Sequence, residues 1–338
     1  MRVARVASQL TSLRRFASEH KRLVVAAQLA ILVIFLGSVG WAVRGSFHAA
    51  GKDLSNADPW FFVFACLAVA AYYLVFVVGW IWLFREWGYE ISYPGALRAE
   101  MVSMLAKYVP GGVWTPAARV VAMRRVGVTD GALVTAAILI EAGLSAISGV
   151  IVFVISLAWV KGVNAPIAPL VVFAVVIAVL VQPRVFRPLS ARILKRFGHA
   201  ELPPVCGRTM ASLLTFYCGT WVLGGTGLWL LLRSVHAHPR ASTIVFLGGT
   251  AAVGAIVAVL AVFAPSGLGA REATMYGMIL AVAPQGAALG ATVLNRVAIT
   301  LVEALLFAVG SLVLRQTSVR RIAPRQPATS PDTSARGS

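Results

Sequence analysis

Charge is what this sequence has least of. Only 12% of its 338 residues are Asp, Glu, Lys or Arg, against roughly 25% in an ordinary soluble domain. With 59% of the chain hydrophobic, water is not its main solvent. Cysteine is scarce as well. Cys66, Cys206 and Cys218 are an odd set, two in apolar runs and one in a basic loop, so no disulfide framework is expected. No G-x-x-x-x-G-K-[ST] loop occurs, which argues against ATP-driven transport by this chain alone. Nothing clusters with His236-Ala-His238, which reads as a polar turn rather than a metal site. No catalytic residue, metal ligand or cofactor is expected.

What is present in abundance is long apolar runs. Residues 23–43, 59–84, 163–182, 209–232 and 241–265 contain no Lys, Arg, Asp or Glu. In a helix rising about 1.5 Å per residue, ~20 residues cross a ~30 Å hydrocarbon core, so each run can span. Two further runs carry charge inside them: 131–160 holds Glu141, and 273–314 holds Arg296 and Glu303. The second is too long for one crossing, and Pro284 with Gly286 divides it into a short segment, 270–283, and a full span, 287–314. The expected fold class is all-α: a polytopic transmembrane helical bundle of about seven or eight spans, two segments of which are broken or re-entrant. Three regions follow: a basic amphipathic tail at 1–22, one transmembrane domain at 23–314, and a disordered tail at 315–338 rich in Pro, Ser, Thr and Arg.

A formal charge of +18 invites a nucleic-acid partner until its placement is examined. The tail 1–22 holds 6 Lys and Arg, 85–125 holds 6, 183–208 holds 6 and the C-terminal tail 5. The intervening connections at 44–58, 161 and 233–240 hold 2, 1 and 2. Rich and poor loops alternate as the positive-inside rule requires. Both tails are therefore expected in the cytoplasm, and nucleic acid is not expected as a partner. Residues 1–43 have the charge order of a signal peptide, but the apolar run is too long and lacks a clear small-residue cleavage site, so a retained first span is expected. Val3, Val6, Leu10, Leu13 and Ala17 share a helical face among arginines, as do Phe186, Leu189, Ile193 and Phe197. Either face suits an anionic inner leaflet or a plain solvated surface.

The membrane pattern fails in two places. At 95–125 a helix from 95 to 109 covers only about 22 Å, Pro110-Gly111-Gly112 stops it, and a new helix has its start at Thr115-Pro116, with Thr as N-cap and Pro at the first position. A re-entrant hairpin with its tip at Pro110 is expected. At 264–283, Pro265, Gly267 and Gly269 prevent a regular helix, and a short one resumes at Ala270. Paired interruptions in two halves of a membrane protein point to a transporter-type binding site, because unpaired backbone at membrane depth must face protein or a wet cavity.

Helix N-termini opening into such a cavity favour an anion. Arg119 and Arg271 fall in the first turns of those helices, and Lys107 lies just before the first break. A phosphate headgroup fits them. The plainer alternative is snorkelling to the inner interface, which explains Arg271 least well because it follows PSGLG directly and adjoins Glu272. Glu141, Arg296 and Glu303 lie deeper, where an ionised side chain costs at least ~2.5–3.5 kcal/mol. Arg296 and Glu303 share one helix face, and Glu141 is their expected partner in trans, whether in a plain interhelical salt bridge or a proton-carrying network. Gly224-Gly225-Thr226-Gly227 and Gly248-Gly249 read as close helix packing. Trp60, Trp80, Trp82, Trp87 and Trp159 read as interface anchors. Trp114, inside the first break, suits a cavity wall or simple packing.

With both breaks in view, the sequence resembles the lysylphosphatidylglycerol synthase transmembrane region family, which includes stand-alone bacterial members with a flippase-like domain. KYVPGGVWTPAAR at 107–119, PSGLGARE at 265–272, and Asn295-Arg296 with Glu303 carry the resemblance, which covers the chain from about the first span to about Arg315. It implies functional interest in Pro110, Gly111, Arg119, Glu141, Pro265, Gly267, Arg271, Glu272 and Arg296. Lys107, Tyr108, Trp114, Gly269, Asn295 and Glu303 complete the candidate substrate-binding set. The family often has Glu-Arg where this chain has Glu141-Ala142, and Gly where it has Ser266. The best-known members join this region to a soluble aminoacyl-transfer domain and move the modified lipid between leaflets, and no such domain is expected within these 338 residues. The expectation is a flippase-like transporter in a bacterial plasma membrane, taking an anionic phospholipid or a polyprenyl-phosphate carrier. Two alternatives stand beside it. One is a non-transporting subunit that docks a glycosyltransferase or lipid-modifying enzyme, and the other an intramembrane enzyme with Glu141 or Glu272 as base.

Overall fold

A computed structural model describes residues 56–108, 114–160, 167–182, 184–185, 188, 203, 205–261, 267–312 and 320–321. The expected first span, both tails apart from 320–321, the Pro110-Gly111 tip, Pro265 and the basic face at 186–197 lie outside these residues. Nine α-helices occur among the described residues: α1 Pro59–Glu86, α2 Tyr93–Met104, α3 Trp114–Val126, α4 Gly131–Ser156, α5 Ile167–Val181, α6 Gly207–Ser234, α7 Thr243–Leu260, α8 Ala270–Ile279 and α9 Gln285–Leu312. Five of them, α1, α4, α6, α7 and α9, are long and apolar enough to cross a membrane. Pairing of Tyr89–Glu90 with Arg320–Arg321 brings the C-terminal chain beside the end of α1.

Local chemistry sets the helix starts. Asp58 accepts from the amides of Trp60 and Phe61 at 2.8 and 3.4 Å, with Pro59 in the first position. Asp130 does the same for Ala132 and Leu133 at 2.9 and 3.1 Å. Each cap satisfies donors that the first helical turn leaves open. The first broken segment differs in detail from the sequence expectation. Its α-helix ends at Met104 and tightens into a 3₁₀ turn, Leu105–Tyr108, as helices often do at an end, here on the approach to Pro110. Helix α3 begins at Trp114 rather than at Thr115-Pro116. Pro116 therefore sits inside the first turn, where a missing N–H costs nothing. In the second, α8 resumes at Ala270 as the glycines suggest, but stops at Ile279.

Packing is closest where side chains are smallest. A Cβ on Gly225 would collide with the carbonyl oxygen of Ile244 and sit 2.5 Å from the Gly248 amide nitrogen. One on Gly249 would sit 2.5 Å from Cα of Phe153 in α4. Helices α4, α6 and α7 thus meet backbone to backbone, the arrangement small residues permit in lipid. The apolar core divides into two large clusters and a small third one of Val152, Trp221 and Ala252. One large cluster gathers Trp80, Phe84, Met101, Met123 and Ile140; the other gathers Phe153, Leu228, Phe246, Met275 and Ala288. Valines 172, 175, 176 and 179 of α5 are exposed, as lipid-facing residues are. Trp60, Trp82 and Trp159 are also exposed. Trp80 is not the interface anchor expected of it: it is 1% exposed, with its ring beneath Arg119.

Candidate functional site

The buried charged residues among those described are Glu100 and Arg119 of the first broken segment, Glu141 of α4 and Glu303 of α9. Helix α3 buries Arg119, Ala122, Met123 and Val126, a stripe at the 3.6-residue period, and this turns Arg119 inward. Its guanidinium is fully engaged. Nε donates to Ser103 Oγ at 3.2 Å, one terminal nitrogen meets Glu141 at 2.8 Å, the other meets Glu100, and the plane lies 4.6 Å from the Trp80 ring centroid. Ser103 Oγ in turn donates to the Glu100 carbonyl at 2.7 Å. One arginine is thus shared by two carboxylates from α2 and α4.

A second group forms around Glu303 of α9, whose side chain is 1% exposed. Lys107 from the 3₁₀ turn pairs with it, and the Tyr73 hydroxyl, at the middle of α1, donates to the same carboxylate oxygen. The third group belongs to the second break. Gly267 and Gly269 have φ of 64° and 83°, the left-handed region that glycine enters freely. A Cβ on Gly267 would collide with Ala258 of α7, so this turn lies directly on the end of α7. Glu272 accepts the Gly269 amide at 2.6 Å and meets Arg296 of α9 at 3.4 Å. Asn295 reaches Met275 Sδ at 3.8 Å. Gly254 lets α8 lie against α7, with Met275 Cγ 2.8 Å and Arg271 Cγ 3.4 Å from where a Cβ would stand.

These groups are one neighbourhood. Glu100 lies within electrostatic reach of Lys107 and Glu303, Lys107 within reach of Arg271 and Arg296, and Tyr72 within reach of Arg271, Glu141 and Glu100. Four cations, Lys107, Arg119, Arg271 and Arg296, face four glutamates, 100, 141, 272 and 303. Three of the cations have glutamate partners. Among the described residues Arg271 has no ion-pair partner, and its Nε is buried without a hydrogen-bond acceptor. Glu141 lies ten residues into α4, about 15 Å along it, so this belt sits deep within the helices.

One sequence expectation is corrected here. Glu141 does not join Arg296 and Glu303; its partner is Arg119, because α3 turns back against α4 and presents its inner stripe there. Arg296 is held by Glu272, and Glu303 by Lys107. Trp114 is 50% exposed, so it does not close the buried belt. Tyr108 ends the 3₁₀ turn. Glu100, Ser103 and Tyr73 were not among the expected residues, yet each touches a charged group of the belt.

Fold and belt together define the class: an all-α integral membrane protein whose broken helices carry a buried network of paired charge. The chain belongs to the lysylphosphatidylglycerol synthase transmembrane region family, whose profile matches residues 23–306. The matched region is a transmembrane region rather than a soluble catalytic domain. No curated protein matches the chain.

Proposed function

We propose that this chain is a lipid transporter of the flippase type, which binds the phosphate of an anionic phospholipid or polyprenyl-phosphate carrier at Arg271 and moves it between leaflets. One observation carries the reading. Arg271 stands at the head of α8 in a belt where the other three cations are matched to glutamates, and its buried Nε lacks an acceptor among the described residues. An unsatisfied buried donor is costly, and a phosphate oxygen would satisfy it with a charge-assisted bond. The free amides of the first turn of α8 add to the attraction. The remaining expected residues act as the frame: Lys107, Arg119 and Arg296 are neutralised by their glutamates and orient the broken segments around Arg271. In this reading the chain sits in a bacterial plasma membrane with both termini cytoplasmic, and it performs no covalent chemistry.

The test is leaflet exchange in phosphatidylcholine vesicles containing the purified chain and a trace of tail-labelled phosphatidylglycerol or farnesyl phosphate. Exchange above empty vesicles, reduced at least tenfold by Arg271→Gln in protein that elutes like wild type, is the expected result. Exchange no faster than in empty vesicles with either probe would sink the proposal.

A further inference from the structure

The charge arithmetic around Arg119 does not close, and that imbalance has a use. Its single positive charge faces Glu100 and Glu141, and with Nε given to Ser103 each of its three nitrogens already has a partner. Glu100 is 6% exposed, and its Oε2 is buried with no hydrogen-bond partner among the described residues. A bare carboxylate oxygen in a low-dielectric interior is among the most expensive atoms to bury. Nothing among the described residues donates a hydrogen bond to it. Lys107, from the 3₁₀ turn, and Glu303, from α9, act on Glu100, but they are paired with each other. Tyr72 of α1 and Tyr217 of α6 face both glutamates, and Arg271 of α8 acts on Tyr72, Tyr73 and Lys107 beside them.

We propose that Glu100 and Glu141 form a proton-binding site, and that loading of Arg271 by a lipid-borne phosphate is coupled to uptake of one proton by this pair. The balance is simple. With both carboxylates ionised, the empty belt sums to zero: the net −1 of the Glu100–Arg119–Glu141 triad is matched by the +1 of Arg271, which has no ion-pair partner among the described residues. A phosphodiester cancels Arg271 and leaves the triad uncompensated; one proton from the loading side then converts a carboxylate to a carboxylic acid and restores neutrality. On unloading, the proton leaves to the opposite side with the lipid. Each cycle carries one anion and one proton, so it moves no net charge. The coupling rests on the lipid-binding reading above and names its energy source.

Two measurements test it. In weakly buffered detergent solution containing a pH-indicator dye, binding of phosphatidylglycerol to the full chain should take up about one proton per lipid. Glu100→Gln and Glu141→Gln each leave one carboxylate for one guanidinium, so neither should take up any. In vesicles, a pH difference of one unit should bias labelled phosphatidylglycerol about tenfold between leaflets, while an imposed potassium diffusion potential should have no effect. Binding without proton uptake, or equal uptake by wild type and both variants, overturns the coupling. Uptake of the same size with inorganic phosphate alone overturns the lipid as the ligand. Exchange indifferent to the pH difference overturns the coupling but leaves lipid transport standing, whereas no exchange with any probe removes both.

Discussion

Removing Arg119 isolates the energetics of the shared-arginine triad. Arg119→Met leaves Glu100 and Glu141, both almost fully buried, with no cation between them. Breaking a buried pair by deleting one partner costs about 3–5 kcal/mol. The lost hydrogen bond to Ser103 adds roughly 1 kcal/mol. At roughly 2–4 °C of Tm per kcal/mol for chains approaching this size, the midpoint should fall on the order of 10 °C. Thermal unfolding in detergent, followed by tryptophan fluorescence, reads it directly. The decisive comparison is the triple variant Arg119→Met, Glu100→Gln, Glu141→Gln, in which no charge remains to be orphaned. Replacing a whole buried charge cluster with neutral groups of similar volume is often close to neutral, so most of the lost stability should return. If the triple variant melts as low as Arg119→Met alone, then arginine packing against Trp80, not charge compensation, holds this region together, and the electrostatic reasoning is wrong.

Lys107→Met should also destabilise by roughly 3 kcal/mol or more, because it removes the cation paired with the buried Glu303 carboxylate; a double-mutant cycle with Glu303→Gln should return a coupling of about 0.5–3 kcal/mol, and additivity would refute the pairing. Gly267→Ala should lower folded yield and midpoint together, since it combines a left-handed φ with a collision against Ala258. Gly277→Ala, with open space around it in α8, should be neutral or stabilising by up to about 1 kcal/mol. Equal midpoints for these two glycine variants would contradict the described turn.

Much of the fold was legible because lipid imposes a simple grammar. Long apolar runs locate α1, α4, α6, α7 and α9 to within a few residues, and Gly225, Gly248 and Gly249 announce their own packing. The Ala270 start of α8 follows from PSGLG alone. Pairing was harder. Period and spacing say which residues share a helix face, but not which helix lies opposite, so Glu141 was joined to α9 when α3 supplies its arginine. Glu100 does not stand out in the sequence because LRAEMVSM reads as an ordinary amphipathic stretch beside a basic loop. Its spacing from Ser103, one turn on, was the available signal, as was a tyrosine pair, Tyr72-Tyr73, in the middle of an otherwise apolar span. Trp80 is buried rather than an interface anchor, because distance from a span end says nothing about which way a ring points.

The glycine contacts between α6, α7 and α4 bear on motion as well as packing. Where main chains touch, no side-chain layer exists to slide or repack, so these three rods act as a fixed keel. The elements that carry Glu100, Arg119 and Glu272, α2, α3 and α8, are short and joined to their longer neighbours by exchangeable ionic contacts. A change of shape in this protein has its cheapest route there, in the same pieces that hold Glu100, Arg119 and Arg271, so that trading a charge partner and shifting a helix become one event.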